Sequence, residues 1–394
     1  MLYVLNNKNK NMNTIEKMNI GIVGVCGRGA SFAAMLEAMP SVRLHAICDL
    51  NSEALANSAN IYRDCEVYEQ YEDMLNSSEL DAVIIGTPMH LHVSQSIAAL
   101  ECGLHVLSEV TAGVSIDECH KLVLAAAASK GIYMLAENYI YMRQNIIVRE
   151  MVRRSLFGNT YYAEAEYLHD VKDYTVKTPW RRKWQMGIDG ITYGTHSLGP
   201  VLQWMPEDRI VRVCCEGTGK HHADTRGEPF CQTSSTMLGK TEKGALIKIR
   251  VDLLSDRPHA MTNYQLQGTD GVYESARAYG EKDRIWLRKR SDNTQHWGHL
   301  EDMTDEFLPE RWKTHMELAN ATGHGGSDYF VLLDFIDAIK GKHACPIGIH
   351  EAMDMTLPGL CSQESIKQLG IWVDVPNSRD WITTTKEDNP NTLQ

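Results

Sequence analysis

The sequence predicts an α/β plus α+β protein, a doubly wound parallel sheet followed by a second domain with a mainly antiparallel open sheet. Three observations carry this. Residues 18–140 alternate short, continuously apolar runs with helix formers, as buried parallel strands and their crossovers do. From Tyr161 the apolar positions recur at a period of two, the pattern of half-exposed antiparallel strands. The chain has 394 residues, enough for two cores. The expected division is a flexible extension over 1–17, the parallel-sheet domain over 18–140, the α+β domain over 141–382 and a polar tail over 383–394.

In the first domain, Asn19 to Val25 reads as a buried strand that runs into Gly24-Val25-Cys26-Gly27-Arg28-Gly29. Ala30 to Ala38 is a helix that Pro40 stops, and Val42 to Cys48 is a second strand ending on Asp49. Strand, glycine turn, helix, strand and acid make a dinucleotide-binding βαβ unit. The tight turn aims backbone N–H groups and a helix N-terminus at a pyrophosphate, and the acid is placed to accept from a ribose diol. Gly24, Cys26, Gly27, Arg28, Gly29 and Asp49 are therefore candidate cofactor residues, although Cys26 stands where the middle glycine normally lets the backbone approach the phosphates. No Arg or Lys follows Asp49 to meet a 2′-phosphate, which favours NAD over NADP.

Further on, Ser52 caps a helix through Ala59, and a second helix spans Tyr68 to Leu75. Ala82 to Ile85 is a strand that ends at Gly86, Thr87 and Pro88, and a helix covers Val93 to Cys102. Ligands of open α/β sheets sit beyond the carboxyl ends of the strands, so Thr87, Pro88, Met89, His90 and His92 are expected beside the cofactor. His90 and His92 also read as helix-cap or surface histidines. His105 to Leu107 is a strand, Ser115 and Glu118 form a capping box for a helix through Ala128, and Ile132 to Leu135 closes the domain.

In the second domain, strands are expected over Tyr161–His169, Val211–Cys215, Ser234–Met237, Ala245–Leu253, Asn263–Gly268 and Gly271–Ala276, with a hairpin at Thr269-Asp270-Gly271. Residues 290–327 read as a long irregular excursion, Tyr329–Lys340 and Ile347–Cys361 as helices, and Ile371–Val375 as a late strand. One face of this sheet lacks obvious helical cover, so a homo-oligomer is expected.

A net charge of −12 argues against nucleic acid and anionic membranes as partners, and no apolar stretch approaches the ~20 residues of a membrane span. The first residues lack the basic start and longer apolar run of a signal peptide. The ten cysteines are scattered without C-x-x-C pairs, as expected of thiols in a reducing cytoplasm, and no metal-ligand spacing is present.

The order of parts over residues 18–382 resembles the glucose–fructose oxidoreductase / inositol dehydrogenase (Gfo/Idh/MocA) family, which joins a Rossmann domain to a C-terminal sheet domain. Many members carry Glu-Lys-Pro after the fifth strand, with an active-site lysine; this chain has Glu109-Val110-Thr111. Within the family it resembles the NAD-dependent α-N-acetylgalactosaminidase branch, through Glu109-Val110, Leu135-Ala136-Glu137-Asn138, Tyr167-Leu168-His169-Asp170, Trp180-Arg181, Tyr193-Gly194-Thr195-His196-Ser197-Leu198-Gly199-Pro200 and Gly323-His324-Gly325-Gly326-Ser327-Asp328-Tyr329.

The resemblance implies NAD as cofactor and a sugar or glycoside as substrate. It implies oxidation at C3, loss of the C2 proton, elimination at C1, addition of water and return of the hydride, an exception to the two-carboxylate mechanism. It assigns His196 and Tyr193 to catalysis, and histidine is suited to moving protons near neutrality. Tyr167, His169, Arg181 and His324 would meet the sugar, as would the segment Arg257-Pro258-His259, where the branch often has tyrosine in place of His259. Glu137 and Asn138 would contact the nicotinamide end, and Glu109 and Val110 the rest of NAD. Gly194 and Thr111 stand where the branch commonly has proline.

The residues themselves agree in part. Tyr193 and His196 are three apart and share a face on a helical turn. Tyr167 also reads as a strand packing residue, Arg181 as part of a solvated basic run, and His324 as a turn residue between glycines. The expected function is an NAD-dependent, redox-neutral glycosidase. The alternatives are an NAD-dependent sugar or polyol dehydrogenase and a non-enzymatic NAD-sensing binding protein.

Overall fold

The computed structural model describes residues 17–258, 261–291 and 294–382. The expected extension, except Lys17, and the expected tail lie outside the described residues, as does His259.

Six parallel strands form the first sheet: β1 (Met18–Val23), β2 (Val42–Cys48), β3 (Glu66–Tyr68), β4 (Ala82–Ile85), β5 (His105–Ser108) and β6 (Tyr133–Leu135). Their order is β3-β2-β1-β4-β5-β6, which puts the reversal of strand order between β1 and β4. A ligand crevice opens at that switch point. Helices cover both faces, so Ile20, Ile22 and all of β4 are buried, which is why these strands read as unbroken apolar runs. The short strand β3 is exposed or half-buried throughout and lies in the segment before the expected helix at Tyr68, which instead runs Tyr71–Ser77. A three-residue edge strand has no apolar signature to read.

The second sheet has nine strands: β7 (Thr160–Leu168), β8 (Ile210–Gly217), β9 (Ser235–Thr241), β10 (Leu246–Asp252), β11 (Thr262–Gly268), β12 (Gly271–Glu274), β13 (Arg284–Leu287), β14 (Gly298–His299) and β15 (Val373–Asp374). Their order is β14-β13-β12-β11-β7-β10-β9-β8-β15. All neighbours are antiparallel except β7 and β10, which run parallel. The expected hairpin joins β11 to β12 through Thr269 and Asp270.

Alternation along β7 sends Ala163, Ala165 and Tyr167 inward and Tyr162, Glu164 and Glu166 outward. The inner face packs on the helices Thr195–Gln203 and Ile349–Lys367, with Trp204 fully buried between Tyr264 and Tyr273. The outer face is not the large apolar surface on which the oligomer expectation rested. It carries the ion pairs Lys248–Glu164 and Arg250–Glu166, at 2.6 and 3.4 Å. Of the expected excursion over 290–327, residues 294–327 are also more regular than expected. Short helices occupy Thr304–Phe307, Glu310–Thr314 and Met316–Asn320, pinned by Phe307 and Trp312 in the core. Helices this short leave too few apolar repeats for a period to show.

Candidate active site

The glycine turn after β1 is built for close approach. Gly24 has a φ of +81°, and a Cβ there would lie 2.7 Å from the backbone of Gly86, so only glycine fits without strain. Asp49 orients the turn: one carboxylate oxygen accepts the Cys26 N–H at 2.9 Å and the other accepts the Asn51 N–H at 3.0 Å. The Cys26 thiol lies beside Ser58, 3.9 Å from its hydroxyl. Burial and then the neighbouring Asp49 push that thiol up to about 11, so it stays protonated. Gly27 is exposed at the lip. A small middle residue turned toward a helix, an oriented acid and no adjacent cation fit an NAD-type dinucleotide.

Beyond the turn lies a cavity of about 430 Å³ between the two sheets. Arg28, Thr87, Met89, Glu109, Val110 and Asn138 line its first-domain side. Tyr167, His169, Arg181, Tyr193, His196 and His324 line the other, so residues far apart in the sequence meet here. No lysine is among the described lining residues.

His196 is 7% exposed and sits at the start of the helix Thr195–Gln203. The Tyr264 hydroxyl donates to the His196 carbonyl at 2.6 Å, which pins that first turn to β11. The ring is held from below: Nδ1 lies 2.8 and 3.1 Å from the two carboxylate oxygens of Glu137. Glu137 is fully buried and also accepts the Tyr139 N–H at 3.0 Å. Gly199 admits this carboxylate, since a Cβ there would meet the Glu137 side chain at 2.8 Å. A carboxylate only accepts, so Nδ1 carries the proton and Nε2 is left as an acceptor for the cavity.

Three tyrosines surround the ring, Tyr139, Tyr167 and Tyr193, at centroid distances of 4.1, 5.1 and 5.3 Å. Burial pushes the Tyr193 phenol up to about 12, and the Arg181 guanidinium offsets only part of that. Tyr193 is therefore a neutral hydrogen-bond donor. Tyr167 shares a 3.1 Å hydrogen bond with Nδ1 of His169. Arg181 is fixed by Thr178 and by Gln185, at 3.1 and 2.6 Å.

Other expected residues sit differently. Both ring nitrogens of His92 face backbone carbonyls, of Thr111 at 2.8 Å and Thr87 at 2.9 Å, and the side chain is buried. It braces the loops on either side and does not reach the cavity. His90 stacks on Trp184 at 4.9 Å. Pro88 precedes the short 3-10 turn Met89–Leu91. Glu137, expected at the nicotinamide, is the partner of His196. Sequence reasoning singled out neither Tyr139 nor Asp328, because their roles arise from contacts with no local pattern.

Residues 141–383 match the family described as "Glycosyl hydrolase 109, C-terminal domain". The chain belongs to glycosyl hydrolase family 109. Residues 18–137 match "Oxidoreductase family, NAD-binding Rossmann fold". The chain is 29% identical to a glycosyl hydrolase family 109 protein of Saccharopolyspora erythraea, covering 92% of this chain and 83% of that one. It is 26% identical to an alpha-N-acetylgalactosaminidase of Shewanella oneidensis, covering 92% and 85%.

Among solved structures, a levoglucosan dehydrogenase with NADH and L-sorbose superposes with a TM-score of 0.77 at 18% identity, covering 92% of this chain and all of that one. The WlbA dehydrogenase of Bordetella pertussis with NADH and UDP-GlcNAcA gives 0.75 at 18%, covering 91% and 98%. Likenesses this distant establish the fold alone. Family membership makes the protein an NAD-dependent enzyme, either a glycosidase or a sugar oxidoreductase. Among the described residues no helix is long and apolar enough to cross a membrane.

Proposed function

We propose that this family 109 member hydrolyses a glycoside by transient oxidation at C3, with no net redox change. The observation that carries the reading is the buried Glu137–His196 pair under a cavity that has no lysine, with Tyr193 beside it. The Shewanella relative named for α-N-acetylgalactosaminidase activity supports a hexosaminide as substrate.

Bound NAD would supply the acceptor that takes a hydride from C3 and returns it, the C3 hydroxyl proton passing to solvent and coming back with the hydride. Thr87, Met89, Glu109, Val110 and Asn138 would hold its nicotinamide end, and the turn Gly24–Gly29 with Asp49 the remainder. His196 Nε2 takes the C2 proton, which a carbonyl at C3 makes acidic. Glu137 stabilises the imidazolium so formed. Tyr193 donates a hydrogen bond to the C3 oxygen, where negative charge builds as that proton leaves. As the C1 bond breaks the aglycone leaves as its oxyanion. Water then adds its hydroxyl to C1 and its proton to that oxygen, and His196, its Nε2 proton exchanged with solvent, returns a proton to C2. Tyr167, Arg181 and His324 orient the sugar hydroxyls or an acyl group.

The test is to incubate the protein with aryl glycosides in D₂O. Released phenol, deuterium at C2 and no accumulated NADH are expected. NADH accumulating with free sugars and NAD⁺, without phenol release, would make the protein a sugar dehydrogenase. No turnover of either kind would leave an NAD-binding protein.

Ten free cysteines support a reducing, cytoplasmic setting. The outer sheet face, without helical cover and laced with ion pairs, offers a second copy a polar rather than an apolar surface for self-association. Light scattering is expected to give a dimer or larger species, and a clean monomer would contradict this.

A further inference from the structure

We infer that Asp328 is the positioning residue of the cavity: one buried carboxylate decides which atoms Asn138 and His324 offer to a ligand, and it ties the dinucleotide turn to the same point. The inference draws on the proposed function only for the identity of the ligand.

Asp328 opens the helix Ser327–Ile339, and its side chain is 0% exposed. One oxygen accepts from Arg28 Nη2 at 2.8 Å and from Asn138 Nδ2 at 2.7 Å. The other accepts from Arg28 Nη1 and from His324 Nδ1, each at 2.9 Å. Four donors thus fill the carboxylate's acceptor positions, and the charge of Arg28 is shared with Glu109, 2.8 Å from its Nε.

This arrangement has a consequence for the cavity. Because Asp328 can only accept, the amide of Asn138 must give it N–H and keep its oxygen for the cavity. His324 must carry its proton on Nδ1 and keep Nε2 as an acceptor. Both atoms suit a ligand that brings donors, such as a carboxamide N–H₂ or a sugar hydroxyl. His324 is held for this at a φ of +53°, a left-handed conformation that non-glycine residues rarely adopt. Burial alone would raise the Asp328 carboxyl; hydrogen bonds from His324 and Arg28 outweigh it and hold the group ionised, below the usual range.

Two measurements test the assignment. In wild-type protein labelled with ¹⁵N-histidine, studied at a pH high enough that the ring is neutral, His324 is expected as the Nδ1–H tautomer; the Nε2–H tautomer would overturn the inference. In Asp328→Asn, one amide oxygen and an N–H₂ group face four donors. NAD affinity, measured by titration of the full chain, is expected to fall about ten- to hundredfold, and kcat to fall more than KM rises. Unchanged NAD affinity with unchanged kcat and KM would overturn it. Should this variant not fold, the wild-type tautomer still decides. The tautomer and the NAD affinity do not depend on which reaction is catalysed, so failure of the glycosidase reading would show in turnover and leave these readouts standing.

Discussion

His196→Ala is expected to lower kcat by about a thousandfold or more while NAD still binds. General acid–base catalysis by a placed side chain contributes ~10²–10⁴-fold. Of the two cavity histidines backed by a buried carboxylate, His196 is itself buried, whereas the carboxylate behind His324 is already paired with Arg28. The hydrogen bonds of the His196 ring go to Glu137 and not to the Gly24–Gly29 turn or Asp49, so cofactor affinity should change little. Fluorescence titration with NAD and steady-state turnover on the same preparation separate the two effects. His196→Asn serves as a check on folding, because its amide can still donate to Glu137. Wild-type turnover in either variant would remove the base assignment.

The second large effect is expected at Glu137. In Glu137→Gln the side-chain oxygen can still accept from Tyr139 and from His196 Nδ1, so ring orientation and tautomer survive. What disappears is the negative charge that stabilises an imidazolium in a buried site. We expect kcat to fall about a hundredfold, ~2.7 kcal/mol of transition-state stabilisation, with NAD affinity kept. Adding Glu137→Gln to His196→Ala should cost almost nothing more, because the carboxylate acts only through the ring. Full additivity of the two losses would show that Glu137 acts by a separate route.

Much of this site was legible because its parts lie on elements with strong local signals. The turn at Gly24–Gly29 is announced by a buried strand before it and an acid at the end of the next. Tyr193 and His196 both line the cavity, but Tyr193 lies in the turn before the helix Thr195–Gln203, so the helical spacing expected of the pair is not what joins them. The resemblance to family 109 sequences points to Arg181, His169 and His324. The partnerships were not legible. Glu137 and His196 are 59 positions apart, and Arg28 and Asp328 are 300 apart. No period or spacing encodes a hydrogen bond that the packing of two sheets creates. His92 shows the converse: it lies in the segment that faces the crevice, yet backbone carbonyls take up its ring. The edge strand β3 and the short helices before residue 327 escaped because so few residues cannot display a repeat.

The placement of β7 in the middle of the nine-stranded sheet governs when the site is assembled. The strand that carries Tyr167 pairs on one side with β10, where Lys248 meets Glu164 across 84 positions, and on the other with β11. Neither neighbour exists until well after β7 has been synthesised, and non-local pairings of this kind are slow to form. The first domain, whose strands find partners nearby, therefore matures ahead of the second. During biosynthesis the parallel strands can pair early, while Arg28 waits for Asp328, and Tyr167, and through Tyr264 the backbone of His196, wait for the later strands. The parallel sheet thus precedes the site, and the anchor of the dinucleotide turn and the groups for chemistry arrive together with the last third of the chain.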